Sequence, residues 1–63
     1  MTCYYEIEVR NNQNIDELIK KYEGEVKYTT AIKSNSITYM VKVEGEIEEG
    51  DLNGYEWKLR YKE

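Results

Sequence analysis

The sequence predicts a single small α+β domain over residues 1–63, of order β-α-β-β-β, with one short helix packed on one face of a four-stranded, mostly antiparallel sheet. Three observations carry that prediction. Cys3–Arg10 and Tyr55–Lys62 alternate apolar and polar residues with period two, the pattern of half-buried strands. Ile15, Leu18, Ile19 and Tyr22 recur at i, i+3, i+4 and i+7, which is one apolar helical stripe. Two further alternating runs lie between them, split by the turn-forming Ser34-Asn35-Ser36.

In the first strand Cys3, Tyr5, Ile7 and Val9 share one face, and Tyr4, Glu6, Glu8 and Arg10 share the other. Asn11-Asn12-Gln13-Asn14 is a polar loop, and Asn14 is the expected N-cap, with Glu17 three residues on in a capping-box position. Gly24 is the expected C-cap of a helix two to three turns long. A helix that short is marginal alone and has to dock on the sheet. The second strand covers Glu25 to Lys33, with Val26, Tyr28, Thr30 and Ile32 facing inward. The third begins at Ile37, with Ile37, Tyr39, Val41 and Val43 inward and a bend or bulge at Gly45. In the fourth, Tyr55, Trp57, Leu59 and Tyr61 face the core.

The last three strands are expected to form an antiparallel meander. A hairpin between the third and fourth strands, turning at Leu52-Asn53-Gly54, would set Ile47 against Leu59 and pair Glu48 with Lys58, Glu46 with Arg60, and Glu44 with Lys62. Gly54 suits the left-handed position of such a loop.

Composition excludes several function classes. A chain of this length buries only about 60% of its unfolded surface, so binding is expected on a surface instead of in a deep pocket of roughly 300 Å³ or more. The net charge of -4 argues against phosphate neutralisation and against an electrostatic membrane anchor. Cys3 is the sole cysteine and there is no His, so neither an internal disulfide nor a Cys/His metal cluster is available. This fits a reducing, cytoplasmic setting. No signal-peptide or membrane-spanning pattern is present. No Ser-His-Asp or Cys-His arrangement and no phosphate-binding glycine loop can be assembled, so no enzyme activity, cofactor or metal is expected. Cys3 is expected to be a buried small hydrophobe.

Two features remain as candidate sites. The segment Glu44–Asp51 carries five acids and no base. It could attract a basic partner, mimic nucleic-acid phosphates, or simply pair in cis with Lys58, Arg60 and Lys62. Asp51-Leu52-Asn53-Gly54 opens like a Ca²⁺ loop but lacks the spacing and closing Glu of one. The second feature is seven Tyr and one Trp with no Phe. One helix of about 10–12 Å diameter cannot cover four strands spaced by about 4.8 Å. Aromatic surface is therefore expected to stay open near the fourth strand, where Tyr and Trp suit an interface. Base stacking on these rings is disfavoured because Lys58, Arg60 and Lys62 point to the other face, so direct nucleic-acid binding is not expected.

The strand-helix-strand opening is shared by ferredoxin-like regulatory domains, but their second helix is missing and no stretch carries a family motif. The functional expectation is a non-enzymatic interaction protein that binds and inhibits a macromolecular partner, through Tyr55, Trp57 and Tyr61 with an acidic rim of Glu46, Glu48, Glu49 and Asp51. The bias to Glu, Lys, Tyr, Ile and Asn, which have A/T-rich codons, suggests a low-GC genome or a virus living in one. An anti-defence protein aimed at a nucleic-acid-handling host complex, an anti-CRISPR or anti-restriction factor, is one form of this. The alternative is a homo-oligomeric structural or regulatory subunit that self-associates through its open sheet face.

Overall fold

A computed structural model describes residues Met1–Glu63. The elements are β1 (Thr2–Arg10), α1 (Asp16–Lys21), β2 (Glu25–Ile32), β3 (Ser36–Glu44), a 3-10 turn (Glu49–Leu52) and β4 (Glu56–Lys62). They form an open sheet in the order β2-β3-β1-β4. Every neighbouring pair is antiparallel. The expected α+β arrangement is therefore present: a four-stranded antiparallel sheet with one short helix. β1 and β2 run parallel to each other with β3 inserted between them, which is the split β-α-β arrangement.

The expected meander is correct for β2 and β3 and wrong for β4. The chain crosses over β1 after β3, and β4 pairs with β1, with Ile7 opposite Trp57 and Tyr5 opposite Leu59. The physical reason is burial. A hairpin would leave Leu52 at a solvated tip, whereas the crossover buries Ile47 and Leu52 almost completely. Full burial of a Leu side chain is worth about 1.5–3 kcal/mol. The crossover also makes β1 a central strand, so its most apolar face, Cys3, Tyr5 and Ile7, lies in the middle of the core. The pairs expected from a hairpin are replaced. Arg60 lies 3.8 Å from Glu6, Lys62 lies 3.3 Å from Glu46, and the Thr2 hydroxyl donates to Glu44.

Bulges change which side chains face inward. The register of β2 against β3 skips at Lys27 and again at Thr30, so Tyr28 pairs with Met40 on the outer face. Thr29 takes the core-side place opposite Tyr39. The register of β4 skips at Arg60, so Tyr61 sits opposite Tyr4. The two rings stack there with centroids 4.4 Å apart. Tyr28, Thr30 and Tyr61 thus depart from strict alternation, because each bulge advances the chain by one residue and reverses the face.

The helix has six residues and is shorter than expected. Ile15, not Asn14, stands at the N-cap and makes no side-chain cap bond; the Asn14 side chain accepts from the Asp16 N–H at 2.8 Å one residue earlier, and the expected Glu17 capping-box contact does not form. At the other end Glu23, not Gly24, takes the left-handed conformation, with φ of 49°. Gly24 is needed for close packing instead: a Cβ there would sit 3.0 Å from a Val43 methyl and 3.3 Å from the Lys42 carbonyl oxygen. The bend expected at Gly45 is present, with φ of 81°, and ends β3. No helix is long and apolar enough to cross a membrane.

Candidate functional site: a tyrosine-pinned acidic crossover

The crossover from Gly45 to Gly54 carries most of the acidic segment, and the core dictates its path. Ile47 and Leu52 insert beside Leu18 and Ile15 of the helix region. Between them the chain makes the 3-10 turn Glu49–Leu52, closed in part by the Asp51 N–H donating to the Glu48 carbonyl at 3.0 Å. The intervening acids are thereby pushed outward.

Two tyrosine hydroxyls hold this segment, which gives one reason for Tyr in place of Phe. The Tyr5 hydroxyl accepts from the buried Ile47 N–H at 3.0 Å. The Tyr22 hydroxyl accepts from the Glu48 N–H at 3.2 Å and donates to the Asp51 carboxylate. Lys21 completes that cluster, with its Nζ 2.9 Å from Asp51. The hydrogen bonds from Tyr22 and Lys21 hold the Asp51 carboxyl below its ordinary pKa. The bond to Asp51 raises the pKa of Tyr22, and Asp51 raises that of Lys21 by hydrogen bond and by charge.

The four acids named from sequence are therefore not equivalent. Glu46 is tied to Lys62 and Asp51 to Lys21. Glu48 and Glu49 are exposed and have no cation partner. Glu44 and Glu63 lie at the end of the sheet where the crossover begins, where the N–H of Thr2 donates to the Glu63 carbonyl and that of Gly45 to the Met1 carbonyl. Glu48 and Glu49 lie further along the crossover, with the Glu48 N–H on Tyr22.

The three aromatic residues named from sequence are separated. Tyr55 and Trp57 lie half-buried on the core side. The Tyr55 hydroxyl donates to the Asn14 carbonyl at 3.0 Å, and Trp57 lies against the Tyr5 ring at 5.8 Å between centroids. Tyr61 is exposed on the other face. The apolar surface that one short helix leaves open lies at β2, where Val26 and Ile32 are 42% and 76% exposed.

Sequence reasoning missed the outer face. All four strands contribute to a surface cleft of about 340 Å³ there, lined in part by Glu6, Glu8, Lys33, Thr38, Glu56 and Lys58. Ser36 is buried beside it and donates to Glu8 at 2.6 Å, with Lys33 at 3.5 Å. The Ser36 hydrogen bond, then Lys33, lowers the pKa of Glu8. Met40 is also buried on this face, although strict alternation places it with the polar residues. The only signal for it in the sequence was an unpaired apolar residue in a polar phase. Cys3 is buried and free, as expected.

Comparison of the chain with protein-family models, with curated proteins and with solved structures finds no match. The molecule is a small α+β scaffold that presents exposed carboxylates from an anchored crossover.

Proposed function

We propose that this is a non-enzymatic interaction protein whose acidic crossover binds a basic macromolecular surface and blocks it. The observation that carries the reading is the pairing of rigidity with unspent charge. Glu48 and Glu49 make no salt bridge, and the segment that bears them is fixed by Ile47, Leu52 and two tyrosine hydroxyls. A preorganised charged surface loses less conformational entropy on binding than a flexible acidic loop. Its field also steers oppositely charged partners. Basic grooves that normally hold nucleic-acid phosphates are the matching chemistry, so an anti-defence role against a nucleic-acid-handling host complex is the specific form we favour.

The test is affinity capture from host-cell lysate by wild-type protein and by the Glu48→Gln/Glu49→Gln double variant. Both positions are exposed and unpaired, so the fold is unaffected. Wild type is expected to retain a partner in low salt and release it in high salt, as screened charges require, and the double variant to lose it. A partner held equally by both proteins, or none at all, removes the reading.

A further inference from the structure

We propose that β2 is a self-recognition edge, and that two copies of this chain join β2 to β2 in antiparallel register about Thr29, making one continuous eight-stranded sheet. The inference concerns the β2 edge, not the acidic crossover, and does not depend on that reading.

β2 is an edge strand, with only β3 beside it. All eight of its residues are exposed. An unpaired edge presents a row of backbone donors and acceptors ready to accept another strand. Its composition is that of an interior strand: Val26, Tyr28, Thr29, Thr30 and Ile32 are β-branched or aromatic. Ile32 and Tyr28 stand mostly in water and Val26 is 42% exposed, so the monomer leaves much of their apolar surface uncovered.

The strand is complementary to itself when reversed. A two-fold axis at Thr29 sets Val26 against the partner's Ile32 and Glu25 against the partner's Lys33. Thr29 then meets the partner's Thr29. The faces agree as well as the chemistry. Val26, Thr29 and Ile32 pair with Val41, Tyr39 and Ile37 of β3, so all three lie on the core side of the sheet. Glu25 pairs with Lys42, and Lys33 reaches Glu8, so both lie on the outer side. The bulges at Lys27 and Thr30 produce this three-residue spacing. Slipping the register by one residue sets Val26 against the partner's Ala31 or Lys33 and mixes the faces, which selects the symmetric alignment. In the dimer Lys33 shares or leaves its 3.5 Å contact with Glu8 to meet the partner's Glu25. Glu25 exchanges an exposed contact with Lys27, at 3.5 Å, for one with the partner's Lys33.

Sedimentation velocity from about 10 µM to 1 mM tests this, a range that covers weak to moderate association. Wild type is expected to pass from monomer to dimer. Ile32→Lys, at an exposed position, is expected to remain monomeric throughout. Lys33→Glu places like charges at both ends of the junction and is expected to weaken the dimer by about tenfold. Adding Glu25→Lys to it restores opposite charges only across the two-fold junction, so recovery in the double variant reports this register. Wild type that stays monomeric at the highest concentration overturns the proposal. So does a dimer that Ile32→Lys leaves intact, or a Lys33→Glu defect that Glu25→Lys does not reverse.

Discussion

The two edges of the sheet follow opposite rules. At the β4 edge Trp57 and Leu59 are packed against the core, and Arg60 and Lys62 reach Glu6 and Glu46. At the β2 edge every residue is exposed, and the apolar side chains are covered only in part, Ile32 hardly at all. Both strands have similar lengths and similar alternation in sequence, so strand character does not separate them. What separates them is the crossover. Its Ile47 and Leu52 lie over the β1 side of the sheet and close the core there, whereas the six-residue helix alone does not reach across β2. Coverage in so small a domain follows the path of the connecting segments as much as the helix.

Truncating the crossover anchor is the strongest way to break that contrast. Leu52 is fully buried in the core cluster. Leu52→Ala removes its transfer energy and leaves a cavity, at a cost of about 2–5 kcal/mol. Small domains hold only about 5–15 kcal/mol in total, so urea denaturation should show a large fall in midpoint. Ile32→Ala, at the other edge, should change stability by less than about 0.5 kcal/mol at a concentration where the protein is monomeric. Equal effects at the two positions would mean that β2 is covered in solution or that the crossover is not anchored.

A finer cut removes one oxygen. Tyr5 is buried, and its hydroxyl is the acceptor for the Ile47 N–H. Tyr5→Phe keeps the ring packing and leaves that buried amide without a partner. The expected cost is about 1–3 kcal/mol. Native-state hydrogen exchange should localise the loss, with Ile47 and Glu48 amides exchanging faster and the β2–β3 amides unchanged. Uniform acceleration would show that Tyr5 supports the whole core and not the crossover in particular.

The contrast also marks how far the sequence could be read. β1, the helix stripe and the β2–β3 hairpin were legible because their signals are local: period-two alternation, an i, i+3, i+4, i+7 set, and Ser-Asn-Ser turn chemistry. The partner of β4 was not. Pairing β4 with β3 satisfies the apolar and charge patterns nearly as well as pairing it with β1, and only the burial of Leu52 separates the two. The bulges at Lys27, Thr30 and Arg60 leave no composition signal, since none of these is Gly, yet they turn Tyr28 and Tyr61 to the outer face. Of the candidate site, the acidic run was legible as a run. Which of its members are neutralised depended on β4, so Lys62 went to Glu44 in the reading and goes to Glu46 in the structure, and Lys21 of the helix supplied a partner for Asp51 that no strand register could suggest.

The smallest expected effect is on the pH dependence, and it distinguishes the crossover from the outer face. The Asp51 carboxyl is held below its ordinary value of 3.8 by Tyr22 and Lys21, and that of Glu8 below 4.5 by Ser36 and Lys33. A carboxyl whose pKa is lowered on folding contributes stability that is fully present above its unfolded value and is lost as pH falls through the folded one. Acid should therefore weaken both contacts below about pH 4.5. At the alkaline end the sign reverses. Tyr22 and Lys21 have raised values, so their contribution is present below about pH 10 and is lost as pH rises through the folded values. The crossover cluster is thus limited at both ends, and the Glu8 contact at the acid end. Asp51→Asn should flatten both limbs of the profile of melting temperature against pH. Glu8→Gln should flatten the acid limb alone. Two variants with the same profile would show that the Tyr22–Asp51–Lys21 cluster is not a distinct unit.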